Sequence, residues 1–229
     1  MRKVSSTFGK ENIPPIDELF NELFKFLDVY INDFKDFLSE YHKVNKEAGI
    51  ILKNKIEQED DITNPLVVFL NENSSFFYFH NQFKSLESNS TTDIGIFKKF
   101  TKIPFCFVEA KRLPTPLSNG RQETEYVCYN DSTKQGGIER FKTEKHGGKE
   151  KLNQSIMLGY IQENNFSFWH SKVNSWIDEK INLTSNWQDE DKLIQNVSFV
   201  KSNVSMYTSI HSRSVLQKIK LIHYWIDLN

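Results

Sequence analysis

Asp93, Glu109 and Lys111 are the residues whose types and spacing fit them for chemistry. They lie in TTDIGIFKKFTKIPFCFVEAKRL (91–113), which reads as two strands joined by a lysine-rich connection. Alternate side chains of a strand share a face, so Glu109 and Lys111 are expected on one side and Ala110 on the other. The run 103–108 is almost wholly apolar, as in a strand buried on both faces. A charged pair at the end of such a strand is costly to bury without a purpose. Paired as an antiparallel hairpin, the two strands bring Asp93 to that pair. Two carboxylates and a water-polarising lysine are what hydrolysis of a phosphodiester by a divalent metal requires.

The surrounding elements must position those groups. Pro14-Pro15 opens a helix, with Asp17 and Glu18 at its positive end. Apolar residues then recur at helical spacing from Ile16 to Tyr41, in a stripe broad enough to pack on a domain. That stripe reads as a core helix or as a docking surface for a partner or a second copy, and a helical adaptor built on 14–41 is a third functional reading. A second helix is expected over 47–70, with a break near Asn64-Pro65. Its acidic run Glu57, Glu59, Asp60 and Asp61 reads as a solvated face. Residues 74–83 read as a first strand, with His80 on its surface. Lys98, Lys99 and Lys102 crowd the connection between the motif strands, where they meet either phosphate or water.

Beyond the pair of strands, Pro114 and Pro116 end the second one and a long loop follows. Gly136-Gly137 precedes a short helix carrying Arg140, whose guanidinium is suited either to a phosphate or to a structural ion pair. His146-Gly147-Gly148 ends that stretch. A helix is expected over 150–163 and another over 166–181. Short strands are expected over 196–202 and 205–209, and a closing strand over 219–228. His211 and Arg213 fall in a serine-rich turn between strands, where they face phosphate or a partner. The expected fold class is α/β, a central mixed β-sheet flanked by helices, with a long N-terminal amphipathic helix. The expected organisation is a tail and helix over 1–45 packing on a domain over 46–229.

Asp93 followed by Glu109-Ala110-Lys111 on a buried strand resembles the active site of the PD-(D/E)XK nuclease superfamily, the restriction-endonuclease-like fold. Thr92 stands where the proline of that name would be. The resemblance implies a Mg²⁺-dependent endonuclease in which Asp93, Glu109 and the carbonyl of Ala110 hold Mg²⁺ or Mn²⁺ and Lys111 orients or helps deprotonate the attacking water. Families of this superfamily carry a further glutamate on the helix before the Asp strand, for which Glu57 and Glu59 are the candidates. Others carry a glutamine on the helix after the catalytic strands, which maps here to Gln154. The GI-x-RF segment around Arg140 resembles bacterial nuclease-like proteins linked to phage defence. DNA is the substrate implied, with RNA as the minority case. The alternative is an inactive nuclease-like scaffold that binds nucleic acid or assembles with partners, its Glu109–Lys111 pair a salt bridge.

The bulk numbers constrain these readings. The 229 residues carry 29 Lys and Arg against 30 Asp and Glu, so the chain lacks the basic footprint of a strong non-specific DNA binder. Local basic patches, a protein partner or self-assembly must supply the grip. The two cysteines, Cys106 and Cys128, show no metal-ligand spacing, and Cys106 reads as a core residue. Nothing approaches a membrane-spanning length, so a cytoplasmic protein without membrane contact is expected. No P-loop, Rossmann glycine pattern or GxSxG elbow is present, which argues against a nucleotide-driven motor or a serine hydrolase.

Overall fold

The computed structural model describes residues 15–47, 59–84, 90–117, 120–129, 134–197 and 201–229. In chain order these form α1 (Ile16–Tyr30), a 3₁₀ turn (Ile31–Asp33), α2 (Phe34–Glu47), α3 (Asp60–Asn73), β1 (Phe77–Lys84), β2 (Thr91–Lys98) and β3 (Cys106–Leu113). They continue with α4 (Gly137–Lys142), β4 (Gln154–Ile161), α5 (Phe166–Leu183), β5 (Ile194–Gln195), β6 (Val204–His211) and β7 (Ile219–Asp227). The strands make one seven-stranded sheet in the order β1-β2-β3-β4-β7-β6-β5. Its centre, β3-β4-β7, is parallel, and both wings are antiparallel. The fold is thus α/β, a mixed sheet flanked by helices, with a long helical N-terminal stretch.

Alternation along each strand divides the core into two layers. Ile94, Ile96, Val108, Ala110, Ile156, Leu158, Ile222 and Tyr224 face α1, α2 and α3, burying Leu19, Phe20, Leu23, Leu27, Phe34, Leu38, Ile62 and Leu66 in one apolar cluster. The N-terminal helix therefore shares its core with the sheet. On the opposite face Phe107, Leu113, Met157, Leu221 and Trp225 pack against Ile138 and Phe141 of α4 and Trp169, Val173, Trp176 and Ile177 of α5. Both cysteines are buried free thiols.

Three expectations are corrected. Residues 150–163 are not a helix: turns lead into β4, which lies between β3 and β7. Leu152, Ile156, Tyr160 and Ile161 fit helical spacing, but Ile156 to Ile161 is also a continuous six-residue apolar run, and periodicity alone does not separate the two. Gly159 suits the central strand, because a Cβ there would lie 2.4 Å from Cδ1 of Trp225 on β7. Pro65 does not break the second helix, for α3 runs through it to Asn73. His211 is no turn residue but the buried end of β6.

His211 belongs to a polar chain in the second layer. Trp225 Nε1 can only donate, and it does so to the Tyr126 hydroxyl at 2.8 Å. The order is set from the other end, where the Asp191 carboxylate can only accept: with neutral imidazoles, the Tyr126 hydroxyl donates to Nδ1 of His223 at 2.8 Å and Nε2–H of His223 donates to Ser209 Oγ at 2.7 Å. Ser209 then donates to Nε2 of His211 at 2.6 Å, and Nδ1–H of His211 to Asp191, which also accepts Lys142 at 2.6 Å. Burial holds both histidines below their ordinary pKa, so the neutral forms this order needs are the stable ones. Ser209→Ala removes the central link and strands two imidazole nitrogens. Urea unfolding at pH 7 should show a loss of about 1–3 kcal/mol, whereas Ser39→Ala on the exposed face of α2 should stay within about 0.5 kcal/mol of wild type.

Candidate active site

β2 and β3 pair antiparallel, with Ile94 opposite Val108, and the ladder opens there. The next rung would set Asp93 against Glu109. Instead, the Ala110 N–H donates to Oδ2 of Asp93 at 2.7 Å, so the carboxylate takes the place of a strand carbonyl. On β3 Glu109 and Lys111 share a face, as their spacing requires. Their ions are in contact, Lys111 Nζ lying 2.9 Å from Glu109 Oε1. The same ammonium donates to the Ala110 carbonyl at 2.6 Å, lies 3.1 Å from Glu59 Oε1 and is 3.9 Å from Asp93 Oδ2.

Glu59 precedes α3 and is fixed by its backbone, whose carbonyl accepts Thr63 N at 2.9 Å and the Thr63 hydroxyl. Its side chain spans Lys111 and Arg121, the second at 3.3 Å. Arg121 is itself clamped by Glu125 at 2.8 and 3.0 Å, and Glu125 accepts the Tyr129 hydroxyl. On the other side Arg140 of α4 bonds Glu109 Oε1 at 2.5 Å, so its guanidinium is an ion-pair partner of the site. His146 meets Glu109 Oε2 at 3.0 Å through Nε2 and Ser90 Oγ at 2.7 Å through Nδ1. Glu109 is thereby fully buried among three basic groups.

The electrostatics follow from burial and this crowding. Burial works against the charge on Glu109, but Lys111, His146 and Arg140 outweigh it and hold the carboxyl well below its usual pKa. Burial likewise opposes the Lys111 ammonium, and Glu109, Glu59 and Asp93 overcome it, holding the pKa above its usual value. Asp93 lacks that compensation. Burial first, then the charge of Glu109, push its carboxyl up from 3.8 to about 8.

Four of the expected residues, Asp93, Glu109, Lys111 and Glu59, meet here together with the Ala110 carbonyl, and Arg140 joins them. Glu57 lies outside the described residues. Gln154 is not a helix residue but opens β4 three positions before Met157, which pairs with Glu109. It lies on the layer of Ile156 and Leu158, opposite to the face of Glu109, and is removed from the site by strand geometry. Four participants escaped the sequence reading: His146, Ser90, Arg121 and Glu125. His146 carried a faint signal, a histidine between charged residues and paired glycines. Ser90 and the Arg121–Glu125 pair carried none: Ser90 joins through His146, 56 residues on, and Arg121 through Glu59, 62 residues back, and a local Arg–Glu pair by itself points to no site.

Among the described residues no three His, Cys, Asp or Glu side chains are gathered as a ready metal-ligand set. The donor chemistry nevertheless fits a hard divalent cation, since three carboxylates and a carbonyl surround one cationic point that the Lys111 ammonium holds here. No family model, curated protein or solved structure matches the chain. Among the described residues no helix is long and apolar enough to cross a membrane.

The Asp93 carboxyl gives a pH signature with a definite sign. Between pH 4 and 8 the folded protein retains a proton that the unfolded chain has released, so stability falls as pH rises and levels off above about pH 8. The slope is at most about 1.4 kcal/mol per pH unit. Asp93→Asn should gain on wild type in urea midpoint at pH 8.5 and not at pH 4, with EDTA present throughout.

Proposed function

We propose that the protein is a metal-dependent nuclease that hydrolyses phosphodiester bonds, with DNA as its substrate. The observation that carries this reading is the meeting of Asp93, Glu109, Lys111 and the Ala110 carbonyl where β2 and β3 part, with Glu59 brought in from the N-cap of α3. Asp93, Glu109 and the Ala110 carbonyl are the groups to hold Mg²⁺ or Mn²⁺. When bound, such an ion activates water and stabilises charge on the scissile phosphate. The chain's own groups do the rest. Lys111, held as an ammonium, positions the attacking water and stabilises the negative charge that develops on it. Arg140 and His146 hold the Glu109 carboxylate in one orientation, and Glu59 keeps Lys111 aimed into the site. Arg140 is partly exposed and can also meet a phosphate.

A chain with near-zero net charge and this site fits a cytoplasmic nuclease that relies on a protein partner or self-assembly for targeting, and an anti-phage defence system is one such setting. That setting rests on the resemblance of the segment around Arg140. A second reading, an inactive scaffold that binds nucleic acid or assembles with partners, is favoured by one observation. Glu109 is already saturated by Lys111, Arg140 and His146.

Incubation with plasmid, linear duplex, single-stranded DNA and RNA in Mg²⁺ or Mn²⁺ separates the two. Under the nuclease reading the wild type cuts, and Glu109→Gln and Lys111→Ala each lower the rate by about 10²-fold or more. Millimolar Mn²⁺ should raise the melting temperature of wild type by several degrees and leave Asp93→Ala unmoved. Uncut substrates together with an unmoved wild-type melting temperature would give the site to the scaffold.

A further inference from the structure

We propose that the exposed edge of β1 and β2 is a stacking surface for the unpaired bases of a single nucleic-acid strand leading to Asp93, Glu109 and Lys111. This inference rests on the nuclease reading and narrows its substrate to strands with unpaired bases. Asp93, Gly95 and Phe97 alternate along β2 on one face of the sheet, and β1 places His80 beside Gly95 and Tyr78 beside Phe97. Here β1 is an edge strand, and its Tyr78 is 47% exposed, with His80 exposed next to it. Their rings lie 6.2 Å apart and continue inward through Phe83, 5.8 Å from His80, to Phe97 and Phe107 at 5.4 and 5.7 Å. Gly95 makes this floor possible, since a Cβ there would lie 2.8 Å from Cγ of the Phe83 ring. The left-handed backbone of Gln82 within β1, with φ of 48°, interrupts the regular alternation just before Phe83.

Charge selects the occupant. Residues 77–84 and 91–102 together hold Lys84, Lys98, Lys99 and Lys102 against one acidic residue, Asp93 itself. This is a local basic excess in a chain of net charge −1. At the far end Lys98 lies over the Phe76 ring and Lys99 donates to the Ser74 carbonyl at 2.7 Å, while Phe100 is 91% exposed. At the near end the segment that seats His146 leaves Lys145, Lys149 and Lys151 exposed. Aromatic rings between lysines, on the face of the carboxylates, match a flexible polyanion whose bases are free to stack. From the Tyr78 rung to Asp93 is about 14 Å along the strand, within reach of a short single strand. A duplex keeps its bases stacked on one another and offers this edge only phosphates.

Fluorescence anisotropy in EDTA tests the surface apart from catalysis. The probes are a labelled 12-nucleotide single-stranded DNA, the same sequence as RNA, and the DNA duplex. Wild type should prefer the single strands. Tyr78→Ala and His80→Ala should each weaken that binding by about 5- to 150-fold and leave duplex binding unchanged, while Val29→Ala on α1 should change neither. DNA and RNA arms that respond alike support base stacking as the shared chemistry, and a response in one arm alone supports it for that strand. Equal binding by the patch variants and wild type, or duplex bound at least as tightly as single strands, would overturn the proposal. So would a wild-type dimer in sedimentation that the same substitutions abolish, which would assign the patch to a second copy. Patch-dependent binding in a protein that cuts nothing would uphold the surface and reject the nuclease.

Discussion

The constraint on which the structure depends is the contact between two opposite charges, Glu109 and Lys111, buried on a central strand. Glu109 is fully buried and Lys111 nearly so. Neither charge would be tolerated alone, and even the pair needs its remaining hydrogen-bonding capacity satisfied. The chain meets this demand from five directions: Glu59 before α3, Asp93 on β2, the Ala110 carbonyl on β3, Arg140 on α4 and His146 in the turn after it. These elements must dock for the pair to be neutralised, so assembling the site and completing the fold are one event.

That demand explains why the two faces of the sheet differ. The layer under α1, α2 and α3 is dominated by aliphatic and phenylalanine side chains, its few polar contacts including Tyr160 with Thr63 and Tyr224 with Asp28. The opposite layer carries Glu109 and Lys111 on its near side. Further along it carries the directed chain from Trp225 to Asp191, in which the acceptor-only carboxylate and the neutral histidines set the order of the protons. Buried polar groups gathered on one face and linked to one another specify a single arrangement of α4 and α5 against the strands. The apolar face supplies burial and the polar face carries the candidate site. Asp93 stands apart within the site, a carboxyl held near its neutral form by its own neighbours and relieved by added positive charge.

Much of this was legible in the chain. The strand at 91–98, the buried strand ending in Glu109-Ala110-Lys111, the helix over 166–183 and the closing strand at 219–227 each have a period or an apolar run that admits one answer. β4 did not, because a short run apolar on every side satisfies helix and buried strand equally, and only its seat between β3 and β7 decides. Gln154 went astray with it. His211 was hidden for a related reason: a histidine among serines resembles a turn until strand pairing buries it.

The sequence by itself determined that Glu109 and Lys111 share a face and that an acidic residue heads the preceding strand, because strand alternation and hairpin pairing act over short range. It also determined the α/β class, since apolar period and length separate helices from strands along most of the chain. Only the tertiary structure decided that Glu59, Arg140 and His146 complete the cluster, for they lie 52, 31 and 37 residues from their partners and no local rule links them. It alone decided the protonation of Asp93, which depends on the distance to Glu109 and on burial by the whole fold. Charge interactions are set by separation in space and by the water excluded around them, and neither is written in the order of the residues.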